Sequence, residues 1–213
     1  MNEMHSEFTL NCKKGLSAKT GFTLAEVLIT LVIIGVIAAL TVPSLIQRTN
    51  KQEYVTALKK AYSTLAQASQ MIIEEEGMPS DENNWGDTPK KLHDIFVPHL
   101  NILKDCGEGF GCVPNIESYK HLNGAKSGEL TGSQSPNYYS VVLADGTFVM
   151  FHHYYQIVVD INGSKKPNQN GRDVFYLAAT PQKYNGFCTK WTDCASWGVG
   201  CSCRVLSEGA MNY

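Results

Sequence analysis

The sequence predicts an α+β protein: a long N-terminal helix on a small antiparallel β-sheet, closed by a cysteine-rich C-terminal segment. Three observations predict it. From Phe22 to Val42 the residues are apolar or small, with Glu26 as the one exception. From Val55 to Ile72 the apolar residues step by three and four, the stripe of an amphipathic helix. From Tyr138 to Ala178 the period falls to two, the alternation of strands.

In chain order, Met1 to Gly21 is polar and lacks helical periodicity, and reads as a removable leader. Residues 22–43 form the membrane-spanning segment. At about 1.5 Å rise per residue, a helix of that length crosses a hydrocarbon core of about 30 Å. Gly35 is small enough to allow close helix approach, or is simply a tolerated glycine. Pro43 removes one backbone donor and should bend or loosen the helix there. Residues 44–77 continue the helix with an inner stripe of Val55, Leu58, Tyr62, Leu65, Ser69 and Ile72 and an outer face rich in Lys, Gln and Glu. Gly77, Met78 and Pro79 end it.

Residues 78–213 form the head. Ser80 to Pro89 is a polar linker, and Asp87-Thr88-Pro89 starts a short helix over Lys90 to Val97 that buries Leu92, Ile95 and Phe96. Leu100, Ile102 and Leu103 carry an apolar path to Cys106. The glycines of Cys106-Gly-Glu-Gly-Phe-Gly-Cys112 let the chain turn back on itself, which suits a Cys106–Cys112 bond. Val113 to Pro136 reads as surface loop, with or without a short strand in it. Tyr138 to Leu143 and Thr147 to Phe151 flank Ala144-Asp145-Gly146 as a hairpin, and Gln156 to Ile161 and Val174 to Ala178 complete a sheet of about four strands. One face of that sheet is free to pack on the helix. Phe187 to Tyr213 has too little apolar content to order itself without cross-links.

Composition narrows the function. The formal charge is −2; removing residues 1–21, with their three Lys and two Glu, leaves 15 basic and 18 acidic residues, or −3. With no basic stripe, nothing in the charge indicates nucleic acid. Cys12 lies in the leader, and Cys106, Cys112, Cys188, Cys194, Cys201 and Cys203 all follow the span. An even number of cysteines in an exported domain reads as disulfides, and six allow fifteen pairings. The intervals within Cys188, Cys194, Cys201 and Cys203 contain no Cys-x-x-Cys pair, which argues against zinc. Lys13, Lys14 and Lys19 precede the span, so the N-terminus is expected in the cytoplasm and the head outside it.

Glu26 is the anomaly of the span. A carboxylate at the bilayer centre costs about 2.5–3.5 kcal/mol or more, and an ionisable group in a span marks function by default. Its position near the cytoplasmic end reduces that cost. A cut between Gly21 and Phe22 would create an α-amino group four residues before it, a ready counter-charge.

Lys19-Thr-Gly-Phe-Thr-Leu-Ala-Glu26, the apolar run that follows and Pro43 resemble the processing site and helix of type IV prepilins and type II secretion pseudopilins. The resemblance covers Lys19 to Leu45. It implies that a prepilin peptidase cuts after Gly21, that Phe22 becomes an N-methylated N-terminus, and that Glu26 sets subunit register by attracting a neighbour's Phe22 amine. It further implies a pilin-like fold and a filament subunit of a type IV pilus or secretion pseudopilus. Its partners would be copies of itself, other pilin-like subunits, the peptidase and an inner-membrane assembly platform. The location implied is the cytoplasmic membrane as a single-pass protein, then a periplasmic or cell-surface filament. A disulfide-tied C-terminal segment is common in pilins.

Two further readings concern the head. Asp160-Ile-Asn162-Gly-Ser164, followed by Asn168, Asn170 and Asp173, alternates oxygen-bearing side chains as a calcium loop does. Gly171 stands where an EF-hand would place its Glu, and Asp173 comes two residues later. Asp160, Asn162 and Asp173 are the candidate calcium ligands; related loops in some pseudopilins bind calcium. The same residues also suit a long turn whose Asn and Asp side chains bond their own backbone, with no cofactor required. His152 and His153 sit at a strand end and read as surface groups on a sheet edge. With no catalytic constellation, a structural subunit is expected rather than an enzyme; the alternative is an extracytoplasmic binding protein or enzyme that uses the helix only as an anchor.

Overall fold

A computed structural model describes residues 21–78, 88–109, 111–112, 119–127, 138–152, 155–163, 165–179, 194 and 196–213. The leader before Gly21, Ser80 to Asp87 of the linker, His153, Tyr154, Ser164, Cys188 and Trp191 lie outside the described residues. The chain divides into two units, Met1–Leu45 and Ile46–Tyr213.

Helix α1 runs from Leu24 to Glu76. In the first unit its large apolar side chains are exposed, from 44% at Val27 to 80% at Leu24, and the helix is long and apolar enough to cross a membrane. The helical assignment continues through Pro43. The hydroxyls of Thr41 and Ser44 donate to the carbonyls of Ile37 and Thr41, at 2.9 and 2.8 Å. Gly77, at φ +81°, ends the helix, its N–H donating to the carbonyl of Ile73.

In the second unit the buried face of α1 comprises Val55, Leu58, Ala61, Leu65, Ala68, Ser69 and Ile72. Ala61 and Ala68 take inner positions, and Tyr62, expected in the stripe, is only half-buried. Small side chains let the helix approach the sheet closely, whereas a tyrosine would hold it off. The Ser69 hydroxyl donates to the carbonyl of Ala179 at 2.6 Å, so the one polar residue on this face is satisfied by the end of the last strand.

Helix α2, Pro89–Phe96, begins as expected: Thr88 Oγ1 accepts from the N–H of Lys91, and Pro89 sits in the first turn. Leu92 and Phe96 are buried and Ile95 is half-buried, and His93 is buried with them. A single 3₁₀ turn, Val97–His99, follows.

Among the described residues the sheet has five strands where about four were expected: β1 (Ile102–Glu108), β2 (Tyr139–Leu143), β3 (Phe148–His152), β4 (Gln156–Asp160) and β5 (Val174–Ala178). They pair in sequence order, every neighbour antiparallel. β1 escaped the reading because it is an edge strand with mostly exposed side chains and two register irregularities, at Ile102/Lys104 and Asp105/Gly107, which erase the alternation. The β2–β3 turn is as read, with Gly146 at φ +87° and Asp145 Oδ1 accepting from the N–H of Thr147. Lys60 of α1 pairs with Asp145 at 2.8 Å.

Both faces of the sheet are covered. Val141, Val149, Phe151, Ile157, Phe175 and Leu177 share a core with α1 and α2. Met150, Val158 and Tyr176 on the other face pack with Tyr119 and Val199. Within residues 119–127, Tyr119, His121 and Ser127 are buried while Lys120 and Asn123 to Lys126 are exposed, so this stretch of the expected surface loop is anchored to the core by three side chains. His152 lies on β3, a central strand, not on an edge, and its ring stacks on Tyr138 with centroids 4.8 Å apart.

Among the described residues the C-terminal segment contains a helix, α3 (Cys201–Glu208), whose Cys201 and Val205 are buried. Cys106 bonds Cys112, and Cys194 bonds Cys201. Cys203 is also disulfide-bonded.

Candidate functional site

The N-terminal site is built on the first turn of α1. Thr23 precedes the helix, and its carbonyl accepts from the N–H of Val27 at 3.2 Å. Glu26 reaches back across that turn. Its Oε2 accepts from the N–H and the hydroxyl of Thr23, both at 2.8 Å, and the Thr23 hydroxyl accepts from the N–H of Glu26 at 3.2 Å. This is a capping box: two backbone donors that the helix start leaves orphaned are satisfied reciprocally. Glu26 thus has a partner inside its own chain. The Thr-x-x-Glu pattern before an apolar run signals this arrangement, but it was overlooked in the sequence because Glu26 was read only against the Phe22 amine. Gly21 and Phe22 stand immediately before the cap, and Phe22 is 88% exposed.

The second site is the connection between β4 and β5. Asp160 and Asp173 are both fully buried. Asp160 Oδ2 accepts from the Tyr119 hydroxyl at 2.7 Å, and its Oδ1 accepts from the N–H of Asn162 at 3.3 Å. Asp173 Oδ1 accepts from the N–H of Gln169 at 2.7 Å; its Oδ2 accepts from the N–H of Asn168 at 2.7 Å and from Nδ2 of Asn162 at 3.1 Å. The three candidate calcium ligands are therefore brought together. Asn162 Oδ1 is buried without a hydrogen-bond partner. Among the described residues, no group of three or more His, Cys, Asp or Glu side chains gathers as a metal cluster.

Burial, reinforced by repulsion from Asp173, pushes the Asp160 carboxyl well above its usual range. Burial also raises Asp173, against the hydrogen bonds it accepts from Gln169, Asn168 and Asn162. The Tyr119 hydroxyl is held protonated by burial and by the two acids. Two like charges in one dry place must be relieved, by a proton or by a cation.

The loop is clasped by the C-terminal segment. Gly171 (φ +81°) and Gly198 (φ +77°) meet there: a Cβ on Gly198 would collide with the backbone of Asn170, and one on Gly171 would stand 2.9 Å from Cys201 Sγ. The Tyr213 hydroxyl donates to the carbonyl of Gly171.

With this geometry in view, one comparison is decisive for the N-terminal site. Residues 16–42 match the prokaryotic N-terminal methylation motif. That is the prepilin-type cleavage and methylation signature, and it covers the capping box and most of the exposed apolar helix. No curated protein and no solved structure matches the chain. The motif together with the long helix and antiparallel sheet makes the protein pilin-like, and the exposed apolar helix is consistent with membrane anchoring. The motif implies assembly with other pilin-like subunits and recognition by a prepilin peptidase in general terms, and suggests a structural subunit rather than an enzyme.

Proposed function

We propose that the protein is a structural subunit of a type IV pilus or secretion pseudopilus, cut after Gly21 and N-methylated at Phe22. The methylation motif on residues 16–42 carries this reading. It is supported by more than twenty residues of exposed apolar helix, which need either lipid or one another. Before assembly the helix holds the protein in the cytoplasmic membrane with the head outside. In the filament, equivalent helices replace the lipid, and an inner-membrane platform drives the transfer.

Glu26 serves twice. In the free subunit it closes its own helix start through Thr23. During assembly it attracts the Phe22 amine of a neighbour, and a misplaced subunit forgoes that charge pair. The head requires no cofactor: the β4–β5 connection is held by the donors already bonded to Asp160 and Asp173, with a proton rather than calcium relieving the pair.

The test is made in the native host. Mass spectrometry of the membrane protein should find a chain beginning at Phe22 and carrying one added methyl. Glu26→Ala should be inserted and cut normally, yet yield far fewer sheared filaments. A chain that starts only at Met1 refutes the processing; wild-type filament yield from Glu26→Ala refutes the register role.

A further inference from the structure

In the second unit, the first turns of α1, the β4–β5 connection and the C-terminal residues enclose a cleft of about 540 Å³, the size of a small-ligand site. Gln47, Asn50, Lys51 and Tyr54 line it from α1, and their spacing puts all four on one helix face. Lys166 and Arg172 line it from the β4–β5 connection. All three cations are exposed, and among the described residues no carboxylate lies within ion-pair distance of any of them. The Lys51 ammonium donates to the carbonyl of Met211 at 3.1 Å, which aims it without neutralising it. Among the described residues the lining holds no acidic side chain. An adjoining cleft of about 290 Å³ shares Lys51 and adds Arg48, so the basic surface continues beyond the first.

The wall between the charges is aromatic and apolar: Tyr54 and Tyr213 are half-buried and Met211 is buried. Burial raises both tyrosine hydroxyls, so neither ring adds a negative charge. A tyrosine, with its apolar body and polar tip, suits the boundary between hydrocarbon and water. Chain continuity sets the place of the cleft. Leu45 and Ile46 are the last large apolar side chains exposed before Met71. Gln47 follows Ile46 directly, so at about 3.8 Å per residue the cleft begins where the exposed apolar segment ends.

We infer that this cleft binds the phosphate-bearing headgroup of an anionic membrane lipid, with Lys51, Lys166 and Arg172 on the phosphate and the tyrosine wall against the glycerol and first methylenes. A guanidinium offers paired donors to two phosphate oxygens, and each ammonium adds a point charge. The side-chain amides of Gln47 and Asn50 stand ready for headgroup hydroxyls. A zwitterionic headgroup brings a cation of its own, which three unpaired cations repel, so the cleft selects for net negative charge. Inorganic phosphate would fill a small part of the volume and leave the tyrosine wall to water. An acidic segment of another protein would suit the cations, but nothing would set it beside the end of the apolar segment. The inference rests on the reading of residues 22–43 as membrane-spanning. It adds a second hold on the waiting subunit, at the membrane surface, which must be released when the subunit enters a filament.

The test uses the purified full chain in detergent micelles holding equal amounts of phosphatidylglycerol and phosphatidylcholine, with native mass spectrometry reading the lipid retained. Phosphatidylglycerol should be retained preferentially. Lys166→Gln and Arg172→Gln, both at exposed positions, should each weaken its binding about fivefold, the effect of removing one cation beside anionic lipid. Lys104→Gln, which removes an exposed cation on β1 outside the cleft, should leave the preference unchanged. Equal retention of the two lipids, or an equal loss in Lys104→Gln, overturns the inference. Displacement of the lipid by an equal concentration of inorganic phosphate assigns the cleft to a free anion and overturns it too. So do carbodiimide links from Lys51 or Lys166 to the carboxylates of a second copy in the absence of any lipid preference, which assign the cleft to a subunit contact. Insertion of the full chain into vesicles of phosphatidylcholine alone tests the membrane reading separately. A chain that inserts without lipid preference sinks only the cleft assignment; one that inserts into vesicles of neither lipid sinks both.

Discussion

Asp160→Asn isolates the most unusual electrostatic feature of the head. The substitution keeps the size of the side chain, an acceptor for the N–H of Asn162 and a partner for the Tyr119 hydroxyl, while removing the charge. Because burial and Asp173 raise the carboxyl above its usual range, the folded state holds this proton to higher pH than the unfolded state does. Its contribution to stability is therefore complete below the unfolded value of about 3.9, and is lost as pH rises toward the folded value. Within that window one proton is worth about 1.4 kcal/mol per pH unit. For a domain of this size that is about 3–5 °C in Tm per pH unit. The assay is thermal unfolding of Ile46–Tyr213, which contains the whole of the described core, between pH 4 and 8 with chelator present. The wild type and Asp160→Asn should converge at the acid end, and the variant should be the more stable at neutral pH. Parallel curves, or a variant less stable at pH 7, would refute the protonated-pair argument. Millimolar calcium provides the opposite sign: if it raises the wild-type Tm at pH 7 and leaves the variant unchanged, the pair is charged and chelating.

Two more outcomes follow from local geometry. Gly198→Ala forces a side chain into the backbone of Asn170 at a positive φ, so it should cost about 1–3 kcal/mol, measured by denaturant unfolding of the same head. Thr23→Val removes the hydroxyl half of the capping box, at about 0.5–2 kcal/mol of helix stability, but leaves Glu26 available to a neighbour's amine. Filament yield from Thr23→Val should therefore stay well above that of Glu26→Ala, and equal losses in the two variants would count against the intermolecular role of Glu26.

The regular elements were legible where one physical signal dominates. Thr88-Pro89 marks a helix start because the cap oxygen and the fixed proline φ act within four residues. Ala144-Asp145-Gly146 marks a hairpin because Gly146 must take positive φ. What was illegible depends on partners distant in sequence. Ala61 and Ala68 face the core because the sheet approaches there, and alanine carries no signal of that by itself. α3 follows Gly200, which supplies no side-chain cap, and only Cys201 and Val205 lie on its apolar face with the half-buried Cys203 and Leu206 beside them. Tyr119 looks like any loop tyrosine, yet its hydroxyl bridges forty-one residues to Asp160 and its ring fills the far face of the sheet. In the β4–β5 connection the residue types suggested oxygen ligands, while three of the five donors that bind those carboxylates are backbone N–H groups, which a sequence does not distinguish, and a fourth is the distant Tyr119 hydroxyl.

The capping box changes the energetic argument for Glu26. An unpaired carboxylate in lipid would drive assembly with its full desolvation penalty, but the free subunit would then insert poorly. With Thr23 supplying two hydrogen bonds at 2.8 Å, part of that penalty is already relieved in the monomer. On the proposed register role, assembly would draw only on the difference between a neutral hydroxyl and amide and a charged amine as partners. The bonds from Thr23 are already charge-assisted by the carboxylate, so what a neighbour's amine would add is the Coulomb attraction of a full opposite charge. In that role, the attraction is what a subunit docked out of register would forgo, while a waiting subunit keeps its helix start closed through Thr23.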